Sequence, residues 1–352
     1  MPPLKIAAQR ILLVLHGSIG DVTRALPLAE LLRAGYPSAF IAWSVEPAAA
    51  PLLEGNSAVD EVILFDRRRW WKSFGAFLKR IRRHNFDLVL DLQRHLKSGV
   101  VSRSSGAPHR LGFHRTDAKE FNWLFNNLFI EPCGDNLAKL DHYLKFAEFL
   151  GLALTPLRWD FALTEAERHA VDGYLKDVQS PFAVLFVGTR WESKNWFAEQ
   201  IAACANLLRR DHRLVVVLLG GADDRRLAAQ SLALTEPGVV NLTGSTSLRQ
   251  AIGIIARAKV AVGPDTGLMH VAAALNVPVI SLWGATDPAR TGPYGFSHLA
   301  IKGTAPCSPC YRKQCQIGRQ CMQSITIDSI AAKLNLLSKG VNSEAMRHAE
   351  CG

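Results

Sequence analysis

The first residues that could do chemistry follow the first apolar run of the chain. Gly17-Ser18-Ile19-Gly20-Asp21 comes directly after the predicted strand Arg10–His16. The two glycines allow a ligand to approach the backbone closely, and Asp21 is predicted at the tip of a strand, near the start of the next helix. The alternative is that Asp21 only caps that helix. The segment lacks the G-x-G-x-x-G pattern, which argues against an NAD-dependent enzyme.

A second polar segment, 188–196, follows a buried apolar run and reads Gly-Thr-Arg-Trp-Glu-Ser-Lys-Asn-Trp. Thr189 and Ser193 could donate hydrogen bonds to phosphate oxygens, and Lys194 supplies a positive charge where the strand ends. An ordinary solvated loop is the alternative. The pattern G-x-x-x-x-G-K-[ST] is missing, so the sequence does not favour phosphoryl transfer of the ATPase type.

The most informative segment is 263–270, Gly-Pro-Asp-Thr-Gly-Leu-Met-His. Asp265 and Thr266 lead from a buried strand straight into a helix, whose free N–H groups can bind an anion. His270 lies four residues after Thr266 and therefore on the same face of the helix. The pattern is typical of a pyrophosphate or sugar clamp, and the alternative is an aspartate cap beside a core histidine. Trp283–Pro288, after the next strand, would border the same site.

Four of the seven cysteines of the chain lie close together, at Cys307, Cys310, Cys315 and Cys321. In a cytosolic protein such clustering indicates a metal site or reactive thiols before it indicates disulfides. The spacing is not the paired C-x-x-C of common zinc sites. A structural zinc or iron, reduced thiols and disulfides therefore all remain open, and we expect no catalytic role for this cluster.

Basic residues exceed acidic ones by 41 to 31, a formal net charge of +10, which favours anionic partners. The basic and aromatic segment 67–72, Arg-Arg-Arg-Trp-Trp-Lys, could hold an anionic acceptor or lie at lipid headgroups, or it could be a solvated helix face. Arg94 and Lys97 follow another predicted strand and could line the same region. No RNA-binding signature is present, so we expect no nucleic-acid partner.

The elements that would position these residues alternate between short apolar runs and helical patterns over the 352 residues. This alternation predicts the α/β class, with two doubly wound, Rossmann-like domains that face each other across a cleft. The predicted strands are 10–16, 39–45, 59–65, 87–92, 183–187, 214–219, 239–242, 259–262 and 279–283. Gly151 to Pro156 is the predicted linker. The longest stretch without Asp, Glu, Lys or Arg, 266–286, contains His, Asn, Pro and Gly, and it predicts helix, turn and strand rather than a membrane span.

Three motifs together resemble glycosyltransferase family 9, the ADP-heptose:lipopolysaccharide heptosyltransferases. They are Ser18–Asp21 after the first strand, Asp-Thr-Gly-Leu-Met-His at 265–270, and Trp-Gly-Ala-Thr-Asp-Pro at 283–288. Their order and spacing agree with the family from about residue 10 to residue 335. The resemblance implies the GT-B fold. Residues 1–155 would be the acceptor-binding domain and 156–340 the nucleotide-sugar domain, which carries the cysteine-rich segment 307–321. A tail, 341–352, is expected to be disordered.

The resemblance also implies roles for individual residues. Asp21 matches the proposed general base, and Lys194 the residue that steadies the leaving diphosphate. The residues that match or adjoin donor-binding positions are Thr189, Arg190, Asp224, Thr246, Asp265, Thr266, Gly267 and His270. The residues assigned to the acceptor are Ser18, Gly20, Arg67, Arg69, Arg94 and Lys97. Catalysis in this family inverts the anomeric centre and requires no metal cofactor.

The expected reaction moves heptose from ADP-heptose to the Kdo and heptose inner core of lipopolysaccharide. It would take place on the cytoplasmic face of the inner membrane, with peripheral contact to lipid. Trp43–Glu46 and the cluster at 67–71 resemble heptosyltransferase I, whereas the cysteine-rich segment resembles heptosyltransferase II. Heptosyltransferases II and III and protein-acceptor enzymes of the family are the alternatives. From other classes, a sugar-nucleotide-binding protein without activity and a metal or redox sensor also stay open.

Overall fold

The structure of the protein is a computed structural model that describes residues 4–66, 70–134, 137–178 and 180–338. The chain divides into two compact units, Met1–Ala162 and Leu163–Gly352. The sequence placed this division after residue 155. The predicted tail, residues 341–352, lies outside the described residues.

The first unit is built on a parallel sheet with the strand order β3-β2-β1-β4-β5-β6. Its described strands are β1 (Arg10–Val14), β2 (Phe40–Val45), β3 (Glu61–Leu64), β4 (Leu88–Asp91), β5 (His109–Gly112) and β6 (Leu128–Phe129). Its described helices are α1 (Ile19–Gly35), α2 (Trp70–Arg83), α3 (Leu96–Ser104) and α4 (Lys139–Phe149). This strand order is that of the Rossmann fold, in which the chain reverses direction across the sheet between β1 and β4.

The second unit repeats this plan with the strand order β12-β11-β10-β7-β8-β9, again all parallel. Its described strands are β7 (Phe182–Phe186), β8 (Val215–Leu219), β9 (Val239–Asn241), β10 (Val260–Pro264), β11 (Val279–Trp283) and β12 (Ile301–Lys302). Its described helices are α5 (Glu165–Leu175), α6 (Ala198–Arg210), α7 (Arg225–Leu232), α8 (Leu248–Ala256), α9 (Gly267–Ala274), α10 (Pro288–Thr291), α11 (Gln320–Gln323) and α12 (Ile327–Ser338).

The core strands are continuous apolar runs because helices cover both faces of each sheet. All five residues of β7 and of β11 are buried, and so are Ile11 to Val14 of β1. Parallel strands send all their carboxyl ends to one edge of the sheet. In each unit, the loops that begin at this edge carry the candidate site residues.

The predicted α/β class with doubly wound sheets is confirmed. The sequence missed β5, β6 and β12, which have only two to four residues each and lie towards the ends of the two sheets. It also ended β10 two residues too early, because the strand runs on through Gly263 and Pro264. None of the helices in the described ranges is both long and apolar enough to span a bilayer.

Candidate functional site

Asp21 lies at the start of α1, where it closes a capping box with Ser18. The Ser18 N–H and hydroxyl donate to Asp21 Oδ2 over 3.1 and 2.8 Å, and the Asp21 N–H donates back to Ser18 Oγ over 3.4 Å. A Cβ on Gly17 would come within 2.7 Å of Asp21 Cβ, so glycine leaves the space that this turn needs. Asp21 therefore does cap the helix, and its second carboxylate oxygen makes other contacts.

Two cations hold that second oxygen. The Lys139 ammonium on α4 lies 2.8 Å from Asp21 Oδ1, and the Arg24 guanidinium, one turn further along α1, lies 2.9 Å from it. Burial alone would raise the pKa of Asp21, but the charge of Lys139 and then that of Arg24 hold this pKa well below its usual value. This low pKa keeps the carboxylate ionised at neutral pH, and the side chain, which is 20% exposed, is still reachable from solvent.

A buried polar network fixes the turn that carries Asp21. The Gln93 amide, beyond the end of β4, accepts from the His16 N–H over 3.2 Å and donates to the His16 carbonyl over 2.9 Å. The His16 ring stacks on Phe65 at 4.1 Å, and its Nε2 lies 2.9 Å from the Ser44 hydroxyl. Burial, with a smaller effect of the Lys97 charge, lowers the pKa of His16 to about 3. His16 is therefore a neutral support for the turn.

The other predicted acceptor residues differ in their surroundings. Gly20 is buried within α1, whereas Ser18 is exposed at its start. The Arg94 guanidinium lies over the Phe113 ring, 4.7 Å from its centroid, and contacts His142 Nδ1. Lys97 is half-buried in the first turn of α3. Arg67 and Arg69 lie outside the described residues.

In the second unit, Asp265 is the centre of the candidate site. It follows β10, and its Oδ2 accepts from the Lys194 ammonium over 2.5 Å and from the Thr286 hydroxyl over 2.8 Å. His270 Nε2 lies 4.0 Å from Oδ1, which is beyond hydrogen-bond distance. The Lys194 and Asp265 side chains are only 15% and 11% exposed. Polar side chains from the segments after β7, β10 and β11 thus meet at Asp265 Oδ2.

The loop after β7 shapes the surroundings of Lys194. Its ammonium lies over the Trp191 ring, 4.3 Å from the ring centroid. The Thr189 hydroxyl donates to the Trp191 carbonyl and accepts from the Trp191 N–H, over 2.8 and 3.2 Å. Thr189 therefore builds the loop with its side chain, a use that the sequence did not predict. Arg190 is exposed to solvent.

The start of α9 follows Asp265 closely along the chain. Thr266 occupies the N-cap position, but its side chain accepts no hydrogen bond from the helix. Gly267, the first helical residue, is only partly buried, and His270 is buried one turn later. The predicted alternative, an aspartate cap, does not occur, because Asp265 pairs with Lys194 instead. The partial positive charge of the helix start can therefore act on an anion.

Asp224 and Thr246 lie in the segments that follow the neighbouring strands β8 and β9. A Cβ on Gly188, at the end of β7, would come within 2.0 Å of Asp224 Oδ1, so the Asp224 carboxylate packs directly against this glycine. The Gly221 N–H donates to Asp224 Oδ2 over 2.7 Å, and burial raises the pKa of this carboxyl group. Thr246 is half-buried and directly precedes Ser247, the N-cap of α8.

The predicted metal at the cysteine cluster is not supported. Nowhere in the described ranges do three or more His, Cys, Asp or Glu side chains converge as metal ligands would, and the cysteines described there are free thiols. Cys321 is buried against Gly284, Cys315 Sγ accepts from the Arg319 N–H over 3.0 Å, and Cys307 is exposed.

Four residues without a predicted role contact Asp21, Lys194 or Asp265 in the structure: Lys139, Arg24, Trp191 and Thr286. Thr286 lies in the motif 283–288, directly after β11, and this position after a strand could have indicated a place in the site. Lys139 had no such signal, since 118 positions separate it from Asp21.

Known proteins match this chain over most of its length. A sequence model described as glycosyltransferase family 9 (heptosyltransferase) matches residues 74–320. Lipopolysaccharide heptosyltransferase 1 of Pseudomonas aeruginosa is 30% identical over 317 residues, 87% of each chain. Lipopolysaccharide heptosyltransferase 2 of Escherichia coli is 29% identical over 308 residues, 83% of this chain and 86% of the relative. The solved structure of E. coli ADP-heptose lipopolysaccharide heptosyltransferase II has a TM-score of 0.72 and 26% identity, covering 94% of this chain and 100% of that one. This likeness confirms the predicted GT-B fold class.

Proposed function

Because this chain belongs to glycosyltransferase family 9, we propose that it moves heptose from ADP-heptose to the lipopolysaccharide inner core with inversion at the anomeric carbon. Its relatives are heptosyltransferases of lipopolysaccharide core biosynthesis. The predicted enzyme class, a glycosyltransferase, is thereby confirmed. The observation that carries the proposal is the Lys194–Asp265 pair beside the uncapped start of α9.

We assign the donor to the second unit. The α9 start and the Lys194 ammonium are suited to diphosphate oxygens, and Asp265 Oδ1 is suited to a hydroxyl group of the sugar. As the bond from the anomeric carbon to the diphosphate oxygen breaks, negative charge develops on that oxygen. Lys194 can stabilise this charge without moving, because Trp191 and Asp265 already hold its ammonium.

We assign the proton transfer to Asp21 in the first unit. The acceptor hydroxyl oxygen attacks the anomeric carbon on the face opposite the diphosphate, and its proton passes to the carboxylate. ADP leaves with the electron pair of the broken bond. Asp21 supports this role because it is ionised, partly exposed and held by Lys139 and Arg24. Arg94 and Lys97 are the described cations that we assign to an anionic acceptor.

For the acceptor, we propose a Kdo-bearing lipid A, to which the enzyme would add the first heptose. The 30% identity to a heptosyltransferase 1 supports this choice, while the 29% identity to a heptosyltransferase 2 makes an already heptosylated core the second candidate. A lipid-linked acceptor would place the reaction at the cytoplasmic face of the inner membrane, through peripheral contact.

The test is turnover with ADP-heptose and two acceptors, Kdo-lipid A and the same lipid that already carries one heptose. We expect ADP release and a product one heptose heavier with the first acceptor. Product with the heptosylated lipid alone would reassign the enzyme to the second transfer. Calorimetric titration with ADP, GDP and UDP tests the donor site separately. Equal or absent binding of all three would refute the donor assignment.

A further inference from the structure

The cysteine-rich region has no role in the proposed reaction, although it contacts the site closely. We define the strap as residues 305–319 and the donor loop as residues 188–195, which carries Lys194. The strap contains little regular structure in the described residues, so its conformation depends on what it touches. Most of its polar contacts are to the donor loop or to the segment after β11.

On the donor loop, the strap holds both residues that precede Lys194. The Ser193 hydroxyl donates to the Arg312 carbonyl over 2.5 Å, and the Ser193 N–H donates to the Lys313 carbonyl over 3.2 Å. Ser193 is 2% exposed, so these bonds are shielded from water. The Glu192 carboxylate accepts from the Cys315 N–H over 3.0 Å.

The residue after Lys194 is held as well. The Arg319 Nη1 group donates to the Asn195 carbonyl over 3.0 Å, and its Nε lies 3.1 Å from Glu192 Oε1. The guanidinium also lies over the Phe197 ring, 4.1 Å from its centroid. One arginine therefore bridges the two ends of the short turn, Glu192–Lys194, that contains the lysine.

The strap also holds the second loop that reaches Asp265. The Ser308 hydroxyl donates to the Gly284 carbonyl over 2.7 Å, and the Tyr311 N–H donates to the Ala285 carbonyl over 2.8 Å. The next residue, Thr286, donates to Asp265 Oδ2, the same oxygen that Lys194 contacts. The strap is thus fastened beside both groups that converge on this oxygen.

We propose that the strap positions the Lys194 ammonium and the Thr286 hydroxyl on Asp265, with Ser193 and Arg319 as positioning residues. This inference rests on the proposed function, since it assumes that Lys194 binds the donor diphosphate. It assigns the cysteine-rich region a mechanical role that does not depend on a metal. Neither residue needs to touch the substrate, because each acts through the backbone on either side of Lys194.

The experiment measures ADP affinity by calorimetry for Ser193→Ala, Arg319→Ala and Lys194→Ala. Ser193→Ala loses one neutral hydrogen bond, and we expect ADP binding to weaken about three- to tenfold. Arg319→Ala loses an ion pair as well and should weaken ADP binding by about tenfold or more. Arg319→Lys keeps the charge, so its ADP affinity should lie between those of Arg319→Ala and wild type. It also takes the place of Arg319→Ala in the experiment if that variant does not fold.

The decisive measurement is the pair of double variants in the Lys194→Ala background. If the strap acts through Lys194, Ser193→Ala and Arg319→Ala should have little further effect on ADP affinity there. The matched control is Arg257→Ala, which breaks the exposed ion pair to Asp172 (2.5 Å) in the same unit and should leave ADP affinity unchanged.

The two possible failures can be told apart. If Ser193→Ala and Arg319→Ala both bind ADP as wild type does, while Lys194→Ala loses affinity, the positioning role of the strap is refuted and the donor assignment stays intact. Full additivity of the double variants would likewise overturn it. Wild-type affinity in Lys194→Ala would overturn the donor assignment and the strap with it.

Discussion

Replacing Asp21 by asparagine tests the base assignment while it keeps the shape of the side chain. Asparagine can still accept one hydrogen bond at the start of α1, but it has neither the negative charge nor the proton affinity of the carboxylate. General base catalysis contributes about 10²- to 10⁴-fold to rate, so we expect kcat to fall by about this factor, or roughly 3–5 kcal/mol in the barrier. ADP affinity should stay unchanged, because the donor is assigned to the second unit.

The same substitution also destabilises the fold, and this effect must be separated from the loss of turnover. Asp21→Asn removes the negative charge that lies 2.8 Å from the Lys139 ammonium and 2.9 Å from the Arg24 guanidinium. The Arg24 side chain is only 10% exposed and that of Lys139 30%, so we expect a loss of about 1–3 kcal/mol in the free energy of unfolding. Turnover must therefore be measured well below the unfolding midpoint of the variant.

The chain offers a close control in α5. Glu167 closes a capping box with Thr164 and accepts two hydrogen bonds from Arg249, both 2.7 Å, so Glu167→Gln removes the same kind of interaction. The assay is ADP release with ADP-heptose and Kdo-lipid A, with unfolding in urea measured in parallel. We expect both variants to lose stability and only Asp21→Asn to lose turnover. Asp21→Asn with kcat within about tenfold of wild type would refute the base assignment.

Three further predictions concern the second unit. Lys194→Ala should weaken ADP binding by about 1.5–3 kcal/mol, the value of a hydrogen bond to a charged group. It should also lower the free energy of unfolding, because the nearly buried Asp265 carboxylate loses this ion pair. An ADP titration like that of wild type would contradict the diphosphate role. The hydrogen bonds from Arg249 lower the pKa of Glu167 to about 2, below its usual 4.5. Because the pKa is lowered on folding, the ionised carboxylate stabilises the fold fully above pH 4.5, and this stabilisation is lost as the pH falls towards 2. The difference in free energy of unfolding between wild type and Glu167→Gln should therefore shrink over that interval. A difference that stays constant in urea unfolding would contradict the lowered pKa. Gly263→Ala would place a Cβ 2.7 Å from Phe186 Cβ and 2.9 Å from the Phe186 carbonyl oxygen, so we expect it to cost about 1–3 kcal/mol in urea unfolding, and a stability equal to wild type would contradict this packing.

The fold could be predicted to a large extent because buried parallel strands leave an unambiguous pattern. Runs such as Val215–Leu219 are apolar at every position, and the polar motifs stand where those runs end. The predicted β11 agrees with the structure at both ends. The short strands β6 and β12, with two residues each, cannot be predicted this way, because two residues carry no periodicity.

Contacts within the site could be predicted from spacing only where the residues that act together lie in one short segment. Asp265, Thr266 and His270 share a loop and the helix after it, so their proximity follows from sequence spacing. The pairing of Lys194 with Asp265 joins positions 71 apart and needs β7 and β10 to be neighbours in the sheet. For the cysteines, nearness along the chain was misleading. Their spacing is short, but spacing does not show which way each sulfur points. Cys321 turns into the core against Gly284, whereas Cys307 stays exposed.

The capping position of Asp21 is compatible with the base role that we propose for it, and the geometry explains why. A carboxylate whose pKa lies well below its usual value is a weak base and cannot ionise a sugar hydroxyl in the ground state. That hydroxyl becomes strongly acidic only as its oxygen bonds to the anomeric carbon, so the proton must move late in the reaction. What the enzyme then needs is an acceptor that is always ionised and always in place. Ser18 fixes Oδ2, while Lys139 and Arg24 keep the group charged, and these are the contacts that the capping position supplies. The same carboxylate can therefore cap the start of a helix and receive the proton without a change in its own conformation.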